Sequence, residues 1–139
     1  MTLSALRGLH TISILHILVV MITRDEVQGF LPLQPAEFHI LLSLSAEDRH
    51  GYAIIQDVDV RSGGEVRLSA GTLYRTIQRL LDNGLITELR KRPDPQEDDQ
   101  RRRYYRITEL GLATARAEAA RLTSLVKMAK NCGLVPRKA

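Results

Sequence analysis

The stretch from Ser69 to Asp82 constrains this chain more than any other. Leu73, Ile77, Leu80 and Leu81 recur at i, i+4, i+7 and i+8, the spacing of one apolar stripe on a helix. At about 100° per residue the opposite face carries Gly71, Thr72, Arg75, Gln78, Arg79 and Asp82. Ser69 is suited to cap the start, because its hydroxyl can accept an orphan N–H of the first turn. Asn83 and Gly84 supply the stop. Taken alone, this is an ordinary solvated surface helix. Its outer face also has the chemistry of a DNA reader: Arg pairs with guanine, Gln with adenine, and Thr reaches phosphate or a thymine methyl.

The residues C-terminal to this helix decide between the two readings. Leu85–Arg90 and Arg101–Ile107 are two short strand-like runs, separated by a polar segment from Lys91 to Gln100 that carries prolines. A helix with a DNA-like face and then a basic hairpin is the order of a winged helix-turn-helix. Upstream, Pro35 opens a helix to about Ser45, with Ile40, Leu41 and Leu44 inward. His50 and Gly51 open a second helix to about Arg61, with Tyr52, Ile55 and Val58 or Val60 inward. Gly63 and Gly64 end it, and Val66–Leu68 is long enough for a short strand pairing with the wing. Downstream, Thr108 caps a last helix to about Asn131, stopped at Gly133. The expected fold is mainly α with a small β-wing.

The run His50-Gly51-Tyr52-Ala53-Ile54-Ile55, then Gly71-Thr72-Leu73-Tyr74, Gly84-Leu85-Ile86 and Arg102-Arg103-Tyr104-Tyr105-Arg106-Ile107-Thr108-Glu109-Leu110-Gly111, resembles the PadR family of bacterial transcriptional regulators. The resemblance spans about Leu31 to Leu134 in order and with matching gaps; residues 1–25 fall outside it. It implies a winged helix-turn-helix, a dimer formed through the C-terminal helix, and repression of promoters, relieved in many relatives by a small molecule. The expected organisation is an extra N-terminal helix and connection over 1–30, the DNA-binding domain over 31–107, a dimerisation helix over 108–132, and a tail over 133–139.

The residues of the last helix support the same arrangement. Leu112, Ala115, Ala119, Leu122, Val126 and Ala129 recur at spacings of 3 and 4, a heptad-like seam whose alanines permit close helix approach. Packing on its own domain competes with this. A helix of this length, however, outruns one small core and needs a second surface for its stripe.

Charge is distributed as DNA contact requires. The 139-residue chain carries 20 basic and 16 acidic residues, a net +4, so it is only mildly basic. Between Arg67 and Arg106 there are ten basic residues against six acidic, and four of those six lie in the tip Asp94–Asp99. The rest of that segment is clearly positive. Expected DNA contacts are Ser69, Gly71, Thr72, Tyr74, Arg75, Gln78 and Arg79 from the helix, Tyr52, and Arg101, Arg102 and Arg103 from the base of the wing. Tyr52 and Tyr74 could each be core or place a hydroxyl on a phosphate. Of Tyr104 and Tyr105, Tyr105 shares parity with Ile107 and is expected inward.

Other functions lack their residues. His10, His16, His39, His50 and Cys132 show no metal-ligand spacing, and no Ser, His or Asp sits in a nucleophile context. No phosphate-loop signature occurs, so neither an enzyme nor a cofactor is expected. His50 is read as a cap or packing residue. Cys132, with only Lys127 and Lys130 as nearby cations, is read as an inert thiol, and a single cysteine gives no sign of an oxidising compartment. A cytoplasmic location is expected.

Leu9–Ile22 is strongly apolar but only 14 residues long, interrupted by His10, Thr11, Ser13 and His16. It is too short to span a bilayer and lacks a cleavage site, so it is read as a helix packing on the domain or on a dimer partner. Met21 offers a second start, which leaves open whether residues 1–20 are translated. With no tryptophan, an effector cannot be sandwiched between indoles; aliphatic side chains where the dimer helix meets the domain are the expected lining. The alternative function is a winged-helix protein-interaction module without DNA contact. Arg75, Arg79 and Arg101–Arg103 together argue against it.

Overall fold

The computed structural model describes residues 13–18, 24–89 and 102–136. From Pro35 to Asn131, four helices and a three-stranded antiparallel sheet follow one another: α1 Pro35–Ala46, β1 Arg49–His50, α2 Gly51–Arg61, α3 Ala70–Asp82, β2 Ile86–Glu88, β3 Tyr104–Ile107 and the long α4 Glu109–Asn131. The strand order is β1-β3-β2. This is the winged helix-turn-helix expected from the sequence, with the long C-terminal helix in place.

Helix α1 is the centre of the domain, with α2, α3, α4 and β3 all packed around it. Pro35 occupies the first turn, where its missing N–H costs nothing. Ile40, Leu41 and Leu44 are buried and meet Ile54 and Val58 of α2 and Leu73, Ile77 and Leu80 of α3 in one core. Leu85, Ile86, Tyr105 and Ala115 close it from the wing and from α4. Burying each of the larger aliphatic side chains contributes about 1.5–3 kcal/mol, so this cluster orients α3 as well as holding it.

The wing is anchored at its base. Ile86 lies opposite Ile107, Thr87 opposite Arg106 and Glu88 opposite Tyr105. Tyr105 is buried and Tyr104 half-buried, as the alternation requires. Arg106 forks onto Asp48 through Nε at 3.1 Å and Nη2 at 2.7 Å, tying β3 to the turn after α1.

Two expectations about the second helix change. The strand expected at Val66–Leu68 does not form; Val66 N–H donates to Ser62 Oγ at 2.9 Å, and the free edge of β3 is taken by Arg49 and His50. On α2 the buried positions are Gly51, Ile54 and Val58, with Ile55 half-buried. Tyr52, expected inward in that helix, and Val60 are exposed, because two steps along a helix turn a side chain through about 200° from Ile54 or Val58.

The long helix divides in two. Its first turns belong to the domain core: Gly111, Thr114, Ala115 and Glu118 are buried. Ala115, expected in the dimer seam, packs instead against its own domain. Leu112 is half-buried, Ala119 exposed and Ala129 half-buried, while Leu122, Leu125, Val126 and Met128 leave an apolar surface uncovered. Leu33 N–H donates to Glu118 Oε2 at 2.7 Å, and Arg121 pairs with the same carboxylate. Burial pushes the Glu118 carboxyl up. The Arg121 hydrogen bond, the Leu33 N–H and the Arg121 charge outweigh that and hold it below its ordinary value.

Ahead of α1, residues 13–18 and 24–30 are helical. Val27 is buried and Phe30 packs against the core, whereas Ile14, Leu15, Ile17 and Leu18 are all exposed, so residues 13–18 do not pack on their own domain as the first of the two expected placements required. The remaining residues of Leu9–Ile22, and Met21 with them, lie outside the described residues. Among the described residues, no helix is long and apolar enough to cross a membrane.

Candidate nucleic-acid interface

Helix α3 is built to present one face. Ser69 Oγ accepts from Thr72 N–H at 3.1 Å, as a capping serine should. At the far end Gly84 has φ of 72°, and Leu85 N–H donates to Leu80 O at 2.9 Å, closing the helix before β2. Between these stops Leu73, Thr76, Ile77 and Leu80 are buried and Gly71, Tyr74, Arg75, Gln78, Arg79 and Asp82 exposed. The helical turn sorts the outer residues into three rows. Gly71, Arg75, Gln78 and Asp82 form the crest. Tyr74 lies on the flank towards the wing, and Thr72 and Arg79 on the flank towards α1.

On the crest, Arg75 Nε donates to Gly71 O at 3.2 Å, a bond in which the two terminal nitrogens of the exposed guanidinium take no part. Gln78 Nε2 donates to Asp82 Oδ1 at 2.9 Å. The two residues stand at i and i+4, the spacing at which a Gln and an Asp meet on a helix surface, so the pairing could have been read from the sequence. The crest therefore offers guanidinium donors, an amide oxygen and a carboxylate, which suits readout of mixed base edges.

The wing-side flank is a cleft of about 300 Å³ lined by His50, Gly51, Tyr52, Tyr74, Arg102, Arg103 and Tyr105. His50 is the N-cap of α2, its Nδ1 accepting from Ala53 N–H at 3.1 Å, so the capping reading holds. A Cβ at Gly51 would come within 2.9 Å of the Tyr74 hydroxyl oxygen, which lies against the start of α2. Tyr52 and Tyr74 are more than half exposed, at 59% and 55%, so neither is a core residue. Arg102 Nη1 lies 3.1 Å from His50 Nε2, and Arg103 Nε lies 3.7 Å from Glu88 Oε1. Burial pushes the Tyr105 phenol above its ordinary value, so it lines the cleft as a neutral group. Arg101, expected beside Arg102 and Arg103, lies outside the described residues, as does the acidic tip.

The α1-side flank holds a residue whose second role the sequence reading missed. Arg79 Nη1 donates to Gln34 Oε1 at 2.6 Å and stands 3.9 Å from Glu37 Oε1. Glu37, buried in the first turn of α1, also accepts from Gln34 N–H at 3.0 Å. Arg79 is thus a brace between α1 and α3 as well as a surface cation. A Gln with a Glu three residues later, around Pro35, is the capping pattern that could have flagged the spot. Ser69 is occupied as a cap, its Oγ also donating to Thr72 Oγ1 at 3.0 Å. Among the described residues no cluster of three or more His, Cys, Asp or Glu could hold a metal ion.

This architecture is shared with known proteins. The pattern of the transcriptional regulator PadR-like family matches residues 40–117. An uncharacterised protein of Lysinibacillus sphaericus is 32% identical over 93 residues, 67% of this chain and 78% of that one. Among solved structures, a PadR family transcription regulator from Clostridium difficile superposes with a TM-score of 0.60 at 23% identity, covering 70% of this chain and 97% of that one. A PadR family regulator from Eggerthella lenta covers 92% of this chain and 99% of its own, with a TM-score of 0.54 at 23% identity. At those identities the structural likeness concerns the fold; membership rests on the family pattern and on the Lysinibacillus relative. The chain belongs to the PadR-like family of transcriptional regulators.

Proposed function

We propose that the chain represses transcription as a homodimer, binding a roughly palindromic operator through α3 in the major groove and the wing base along the backbone. The observation that carries this reading is the outer face of α3: a polar crest with an exposed guanidinium, flanked on both sides by clefts that contain arginines. The roles assigned are base contact for Arg75 and Gln78, close backbone approach at Gly71, and phosphate contact for Tyr52, Tyr74, Arg102 and Arg103. The uncovered surface formed by Leu122, Leu125, Val126 and Met128 supports a dimer through the distal half of α4. An effector would act in the groove of about 520 Å³ where Leu31 and Pro32 meet Ala117, Ala120 and Arg121. That is the junction of extension and domain, and a ligand there would bear on the Glu118–Leu33 link.

The test is selection of bound fragments from the source organism's DNA by the purified protein, and then footprinting. The proposal predicts protected half-sites related by two-fold symmetry and about one helical turn apart, or a multiple of it, with affinity falling steeply as salt rises. Absence of binding to any duplex at low salt would instead favour a protein-interaction module.

A further inference from the structure

We infer that the notch between the start of α1 and the recognition helix α3 is a second seat for a DNA backbone phosphate, formed by Gln34, Thr72 and Arg79, with Glu37 as the positioning residue. The inference rests on the DNA-binding reading and adds to it a contact on the side of α3 away from the wing. A helix in the major groove lies between two sugar–phosphate strands about 12 Å apart. If the wing-side cleft meets one strand, the opposite flank of α3 meets the other, and that flank carries Thr72 and Arg79.

The notch is polar, about 260 Å³, and lined by Gln34, Ala36, Thr72, Arg75, Thr76 and Arg79. Each donor is held so that part of it remains to be offered. Arg79 gives Nη1 to Gln34, and the other guanidinium N–H groups take no part in that bond. Only the oxygen of the Gln34 amide can accept from an arginine, so its NH2 group is turned the other way. Ser69 Oγ donates to the Thr72 hydroxyl, which leaves the Thr72 proton to be donated onward. Two guanidiniums, Arg75 and Arg79, outnumber the one carboxylate beneath them, and that carboxylate is buried and already accepts from Gln34 N–H. The notch therefore keeps a net positive charge. Anchoring Arg79 in advance also removes part of the side-chain entropy that a free arginine would lose on meeting a phosphate.

The test uses the operator recovered by selection, in duplexes each carrying one neutral methylphosphonate, against the wild-type protein, Gln34→Ala, Arg79→Ala and Glu37→Gln. Several phosphates per half-site should be sensitive in the wild type, those met by the wing-side cleft among them, and one of them, on the opposite strand, should weaken binding about three- to tenfold when neutralised and depend on the notch. At that phosphate the same neutralisation should cost Gln34→Ala and Arg79→Ala less than about twofold, since the contact is already gone. Glu37→Gln should lower the salt slope by about 0.9 and leave base preference unchanged. Gln34 is exposed, so its variant keeps the test valid if Arg79→Ala fails to fold. Neutralisation that costs Gln34→Ala as much as wild type at every phosphate overturns the seat. Wild-type protein that binds no duplex overturns the DNA-binding reading itself.

Discussion

At Gly111 a Cβ would fall on the Leu85 carbonyl oxygen and against Ile107, because the first turn of α4 runs hard against the segment that leads into β2. The same carbonyl accepts from Thr108 N–H at 3.1 Å, so it cannot easily move aside. Gly111→Ala should therefore cost about 3 kcal/mol or more, read as a shift of the denaturant midpoint at constant slope. An unchanged midpoint would mean that the helix can shift without loss. Glu118 makes a prediction in pH. Its folded pKa is depressed, so its stabilisation is present above the unfolded value of about 4.3 and is lost as pH falls through the lower folded value. Glu118→Gln should cost about 1–3 kcal/mol at neutral pH, and the gap from wild type should narrow below about pH 4. A gap that stays constant down to about pH 3 would show that the carboxylate charge does not matter. Neither residue was legible beforehand. Gly111 entered only as part of a resemblance, and Glu118 had the look of any solvated helix glutamate, since the N–H that it accepts lies 85 residues away.

Individual elements were legible to the degree that local rules governed them. Ser69, Pro35, Thr108 and Gly84 set helix ends through their own hydroxyl, ring or backbone freedom, and the ends fall beside them. The amphipathic stripe of α3 is visible because one face is wet along its whole length. Helix α2 is so short that two adjacent readings of its period fit, and only tertiary packing selects Ile54 and Val58. The third strand was misplaced for a similar reason: a two-residue strand has no pattern of its own, and its partner chose it. For α4, period alone could not divide a stripe shared between two destinations, so Ala115 went to the domain core. Capping gives an element-scale prediction: Ser69→Ala should cost about 1 kcal/mol, chiefly by fraying the first turn of α3. Hydrogen exchange should quicken at Thr72 and Leu73 and stay unchanged in α1; uniform change across the domain would contradict a local cap.

On the scale of the whole molecule, the fold places the uncovered half of α4 at a distance along the chain from the DNA face and joins the two through Glu118, Leu33 and Gln34. Leu122→Asp together with Val126→Asp changes only exposed positions, so the domain should remain folded while the dimer dissociates, as light scattering and a melting curve would show together. A stable dimer in that variant would move the interface elsewhere. The central claim is that bases are read by the crest of α3 while the flanks hold the backbone. It is tested most directly by selecting binding sites from a randomised duplex library with wild type, Arg75→Ala and the Arg102→Ala, Arg103→Ala double variant. The account predicts that Arg75→Ala relaxes preference at one base pair per half-site, at a cost of about 1–3 kcal/mol, whereas the double variant binds every sequence more weakly with the same preference. A changed preference in the double variant, with none in Arg75→Ala, would contradict it.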